Sequence, residues 1–247
     1  MANAPARALW VVRLETMEYA EALALQRAAA RARIAGLLHE DLLLLVEHPP
    51  VVTLGRTAKA KHLTSSVEFL AFRGVQLFEV ERGGDVTFHG PGQLVGYPII
   101  DLKRHTRDLH WYLRQVEKAL MLGLGEHGIP AERSTGYTGV WTHGRKIASI
   151  GVHARDWVTW HGFALNVNTD LSYFDLIVPC GIAGVDMTSM RRQLGVSFIE
   201  MSVVESTIAE AFARVFDLAA VDVSLSELED TLGETIEAQT GFDNGLG

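Results

Sequence analysis

The sequence predicts an α+β fold, a mixed but largely antiparallel sheet packed with helices. Three observations lead there. The stretch from Gly139 to Val167 holds three apolar segments joined by connections too short for a crossover helix, which makes them an antiparallel meander. Three helical segments stand among these and further strands in an order that suits helices laid on one sheet. A chain of 247 residues, 48% hydrophobic and 21% charged, is long and apolar enough for one substantial core.

In chain order, Glu15 to Arg33 is rich in Ala, Leu, Glu and Arg and free of Gly and Pro, so it reads as a helix closed by Gly36. Leu42 to Val46 reads as a buried strand ended by Pro49-Pro50. Val75 to Glu81 alternates weakly and runs into the turn Arg82-Gly83-Gly84-Asp85, after which Val86 to His89 forms a strand. Gly90-Pro91-Gly92 interrupts it, and Leu94 to Leu102 resumes an apolar strand. Leu109 to Glu126 places Leu109, Leu113, Val116, Leu120 and Leu124 near helical spacing, with Gly128 as its stop and Pro130 preventing its return. Val140 to Thr142, Lys146 to His153 and Trp157 to Val167 are the meander, and Ser202 to Phe216 is a third helix. Residues 1–225 are expected to form a single domain. Residues 226–247, acidic and then glycine-rich, are expected to form a weakly ordered tail.

Composition excludes several classes. A net charge of −8 argues against nucleic acid as the main partner, and the longest apolar run is too short to span a bilayer. Met1 to Pro5 lacks a signal-peptide layout, and a single cysteine forbids an internal disulfide, so a cytoplasmic setting is expected. Gly123 to Gly128 matches a dinucleotide-binding string but lies at the end of a helix, where that motif has no function. Gly139 and Gly144 do not open a P-loop, because Ile147 stands where a hydroxyl residue is needed. The ten histidines are dispersed, so neither a metal nor a cofactor is expected.

The chemistry is expected in three places. Cys180 sits in Val178-Pro179-Cys180-Gly181-Ile182, where proline fixes the approach and glycine admits a ligand close to the sulfur. That is a presented thiol, set against the usual fate of a free cysteine as an inert core residue. Lys146 opens a strand whose next residues are apolar or small, which would desolvate it, although a solvated hairpin lysine fits the same position. A nearby ammonium lowers a thiol pKa, so a Lys146 and Cys180 pair would generate thiolate. The densest segment runs from Arg82 to Gln93; its glycines bring a ligand close to the main chain, and Val86 and Phe88 are expected to line one side of an apolar slot.

These residues resemble the lipoyl(octanoyl) transferases. Arg82-Gly83-Gly84 through Gln93, Gly144 through Gly151, His161 through Val167, Pro179 through Ile182 and Thr188-Ser189 are similar to that family's blocks, in order, and the similarity covers about Leu42 to Glu210. The resemblance implies the fold shared with biotin and lipoate protein ligase catalytic domains. It implies transfer of an octanoyl group from acyl carrier protein to a lysine on lipoyl domains of 2-oxoacid dehydrogenase and glycine-cleavage proteins, with no nucleotide, because the incoming thioester is already activated. By position, Cys180 is the acyl-accepting nucleophile and Lys146 the residue that lowers its pKa. Arg82, Gly83, Gly84, Asp85, Val86, Thr87, Phe88 and His89, then Ser149, Ile150 and Gly151, then Gly162, Phe163 and Ala164, are the acyl-substrate contacts. Lys146 is also the natural base for the second step, with His89 a weaker candidate. An acidic carrier needs a basic patch on this acidic chain, and Arg56, Lys59 and Lys61 are expected to supply it; Arg191-Arg192 is a second basic pair. An ATP-dependent ligase of the same fold, a thioesterase and an acyl-binding module remain as alternatives.

Overall fold

The computed structural model describes residues 7–182 and 184–233. Its strands are β1 (Ala8–Thr16), β2 (Asp41–Glu47), β3 (Val51–Leu54), β4 (Gln76–Glu79), β5 (Val86–His89), β6 (Gln93–Ile99), β7 (Glu132–Ser134), β8 (Tyr137–Thr142), β9 (Arg145–Arg155), β10 (Val158–Asn166) and β11 (Ala219–Asp222). Its helices are α1 (Tyr19–Ile34), α2 (Val67–Phe72), α3 (Leu109–Glu126), α4 (Met190–Leu194), α5 (Met201–Phe216) and α6, residues 225–233.

Eight strands form the main sheet in the order β11-β1-β2-β6-β10-β9-β8-β7, and β4-β3-β5 form a small one. In the main sheet β1 runs parallel to both β2 and β11, and every other pairing is antiparallel. The meander needs no crossover because its two turns are tight: His143-Gly144 and Asp156-Trp157 have positive φ at both central residues, the geometry whose twist matches antiparallel strands. Trp157 is therefore a turn residue rather than the first of its strand.

β2 is apolar from Leu42 to Val46 because helices cover both faces of the sheet. Leu43 and Leu45 pack with α3 and α5, whereas Leu42, Leu44 and Val46 pack with α1. α3 occupies the span its periodicity predicts, with the Asp108 side chain accepting from the His110 and Trp111 amides at its start. The glycine string near its end has a packing role: a Cβ on Gly123 would stand 2.6 Å from Ile208 of α5.

Two expectations are corrected here. Glu15 belongs to β1, not to a helix, and α1 begins only at Tyr19; the strand exists because β2 and β11 pair with it from far away in sequence. The tail does not begin at residue 226. Ser224 and Glu227 cap α6 reciprocally, and Leu228 and Leu232 are buried against α1 and the main sheet. The rest of that stretch lies outside the described residues. Among the described residues, no helix is long and apolar enough to cross a membrane.

Candidate active site

Cys180 sits in a tight turn between the main sheet and the small one. The Gly181 amide donates to the Val178 carbonyl and the Ile182 amide to that of Pro179, which leaves Cys180 in a left-handed conformation, φ 56° and ψ 18°. A residue with a Cβ is held there only at a cost of about 1–3 kcal/mol, so the surroundings must impose it. They do so from two sides. The Val178 amide donates to the His62 carbonyl, and the His62 ring is hydrogen-bonded through Nδ1 to Asp85 Oδ2 at 2.8 Å. A Cβ on Gly181 would stand 2.7 Å from that carboxylate oxygen, so glycine is needed for the turn to close on the pair.

Lys146 Nζ donates to Cys180 Sγ at 3.1 Å, and Ser149 Oγ lies 3.7 Å from the same sulfur. The lysine is 1% exposed, and its ammonium lies 5.0 Å from the centre of the Trp141 ring. Among the described residues no carboxylate forms an ion pair with it, and the sulfur and an aromatic face are its nearest partners. Backbone pairing fixes the distance. The Lys146 amide donates to the Asp186 carbonyl and its carbonyl accepts from the Thr188 amide, stitching the chain beyond Cys180 to the start of β9. A polar relay braces the same segment: His89 Nδ1 meets Gln93 Oε1 at 2.9 Å, Gln93 donates to Asn166, and Asn166 donates to the Thr188 carbonyl.

A cavity of about 200 Å³ opens beside this pair. Ser149, Ile150 and Gly151 of β9, Gly162, Phe163 and Ala164 of β10, and Arg82, Gly84, Asp85, Thr87 and His89 line it. Arg82 is held in place by Thr53, whose carbonyl and hydroxyl both accept from its guanidinium. Gly83, Val86 and Phe88 do not line the cavity. Val86 and Phe88 lie on the opposite face of the small sheet, packed with Phe174, Leu176 and Ile177. Alternation correctly separates the two faces of β5, but the polar face, Thr87 and His89, is the one that meets the cavity. Gly83 instead pairs its amide with Val152.

The wall also contains residues the sequence reading missed: Tyr19, Val95, Tyr97, Gly136 to Thr138, His161 and Ile182. His161 heads a block already singled out, and Tyr97 follows Val95 at strand spacing, so both were within reach; nothing marks Tyr19. His161 Nδ1 and Thr87 Oγ1 are buried without a hydrogen-bond partner, whereas His161 Nε2 faces Glu81 Oε1 at 3.7 Å. Polar atoms in that state on a cavity wall are available to a bound molecule.

His89 lines the cavity, the His48 ring stands 6.1 Å from the His89 ring, and burial keeps both neutral. It pulls His48 down to about 4 and His89 to about 3, the latter helped by the neighbouring His48. An imidazole so depressed is a poor acceptor for a proton near neutrality. Below pH 6.5 the unfolded chain binds protons at these positions that the folded chain does not. Their stabilisation is therefore complete above 6.5 and is lost as pH falls through about 4 for His48 and about 3 for His89. The melting temperature should drop between pH 6.5 and 4 and drop less in a His48→Gln variant; parallel thermal profiles for the two proteins would contradict this.

Fold and site together define a lipoate-ligase-like catalytic domain, and the chain belongs to the lipoyl protein ligase A/B catalytic domain family, whose model matches residues 18–213. Its relatives include octanoyltransferases. It is 50% identical over 218 residues to the octanoyltransferase of Myxococcus xanthus, covering 86% of this chain and 60% of that one. It is 44% identical over 227 residues to that of Synechococcus elongatus, covering 91% and 94%. A lipoate-protein ligase A bound with ATP superposes with a TM-score of 0.76 at 16% identity over 94% of each chain. The bipartite lipoate protein ligase of Thermoplasma acidophilum superposes with 0.72 at 17%, over 95% of this chain and 92% of its own. At those identities the structures establish the fold alone.

Proposed function

We propose that this chain transfers an octanoyl group from acyl carrier protein to a lysine of lipoyl domains through a thioester on Cys180. Octanoyl transfer in lipoate biosynthesis and protein lipoylation is what its octanoyltransferase relatives support. The covalent route rests on one observation, the 3.1 Å contact between the Lys146 ammonium and the Cys180 sulfur at the edge of a largely apolar cavity.

In the first half-reaction the Cys180 thiolate attacks the carrier thioester. A new C–S bond forms, the carrier's C–S bond breaks, and Lys146 gives its proton to the departing pantetheine thiol. In this reading the Ser149 hydroxyl, 3.7 Å from the sulfur, donates to the carbonyl oxygen as charge develops there. In the second half-reaction the acceptor amine attacks, neutral Lys146 takes the proton it sheds, and the thiolate leaves. The product is an amide, and the thiolate–ammonium pair is restored.

Intact mass spectrometry tests the reading. After octanoyl-carrier protein is added, the enzyme should gain the mass of one octanoyl group, located at Cys180 by peptide mapping. Apo lipoyl domain should then remove it and acquire it. An octanoylated lipoyl domain appearing while Cys180 never carries the adduct would refute the covalent route.

A further inference from the structure

We infer that residues 56–73 form the seat of the acyl donor, a carrier protein with an acidic surface that presents its thioester on a phosphopantetheine arm. This rests on the transfer reading above and adds where the donor binds. Within a chain of net charge −8, this segment holds Arg56, Lys59, Lys61 and Arg73 against the single carboxylate of Glu68. All four cations are exposed and none forms an ion pair with a described residue. Beside them α2 turns Phe72 to solvent at 85% exposure, with Val67 at 53% and Phe69 at 44%. An apolar patch rimmed by unpaired cations fits a protein partner of opposite charge.

The segment is built into the wall that carries the nucleophile. Its His62 carbonyl holds the Val178 amide, its Thr64 amide donates to Leu176, and Leu63 pairs with Ile177, all leading directly into Pro179-Cys180. Arg73 lies over the ring of Tyr173, which stacks on Phe88 of β5. A partner seated here therefore rests on the same framework that positions the sulfur. The geometry favours the donor over the acceptor. α2 packs on β4, the edge of the small sheet, two strands from β5, whose neighbouring Asp85 braces the Cys180 turn. Two strand spacings are roughly 10 Å. A thioester on a long, flexible, phosphate-bearing arm spans that offset more readily than a lysine side chain does, and Lys59 and Lys61 would meet its phosphodiester.

The test compares two donors. Lys59→Glu/Lys61→Glu/Arg73→Glu and, separately, Phe72→Ser are exposed changes expected to leave folding intact, which thermal melting will verify. Acylation of Cys180 is followed by mass from octanoyl-carrier protein and from octanoyl-pantetheine. With the carrier, kcat/KM should fall roughly tenfold or more for the charge reversal, and rising salt should weaken the parent in the same direction. With the small thioester it should not change. Equal losses with both donors would overturn the assignment, as would a loss confined to transfer from the acyl-enzyme to the lipoyl domain, which would make this face the acceptor's seat. A parent enzyme acylated by neither donor would defeat the transfer reading itself.

Discussion

The Cys180→Ala protein should form no octanoyl adduct and should transfer octanoyl to a lipoyl domain roughly three to six orders of magnitude more slowly than the parent, the range expected on removing a covalent nucleophile. The loss is chemical, not structural. Cys180 is only partly buried, and the turn is held by backbone bonds at Val178, Gly181 and Ile182 that alanine leaves intact. Thermal melting should therefore change little, which separates loss of the nucleophile from loss of the fold. Cys180→Ser is the sharper companion. A hydroxyl beside Lys146 keeps the contact but is a far weaker nucleophile, so a faint and slowly cleared ester is expected in place of the thioester. Normal turnover by either variant would mean that the acyl group passes directly from donor to acceptor.

Lys146→Met should slow both half-reactions, by roughly 10²- to 10⁴-fold, the usual worth of a positioned acid–base group. Methionine approximates the buried stem that packs beside Gly139 and Trp141 while removing the ammonium. Single-turnover acylation from octanoyl-pantetheine reads the first loss, and deacylation of a preformed adduct by lipoyl domain reads the second. Alkylation of Cys180 by iodoacetamide at neutral pH should slow in parallel. Lys146→Arg should not rescue: a guanidinium keeps the charge but does not give up its proton near neutrality and presents a wider head to a closed space. If deacylation survives in Lys146→Met while acylation fails, another group takes the amine's proton. His161, on the cavity wall with Nδ1 unpartnered and Nε2 facing Glu81, is then the first place to look.

The fold was legible where local rules suffice. α3 appears at Leu109–Glu126 because its apolar spacing, capping aspartate and closing glycine agree. β1, β3, β7 and β11 escaped notice because each is short or at a sheet edge, or owes its pairing to residues far away in the chain. α6 was misread because its composition is acidic; only the burial of Leu228 and Leu232 shows why it is ordered. In the site, the residue types around Cys180 and Lys146 suggested a thiol–amine pair, but their separation of 34 positions gave no distance. That distance depends on residues 186–188 pairing with the start of β9. The face of β5 was read backwards because alternation separates two sides without saying which one meets the cavity.

The stitching of Lys146 to residues 186–188 bears on when the enzyme becomes reactive. Lys146 is placed by a meander of chain neighbours, whereas Cys180 comes to it only after distant segments dock. A half-folded chain thus carries its thiol with no ammonium beside it. On the proposed mechanism, an acyl donor would therefore meet an ammonium-paired thiol only where these segments have docked.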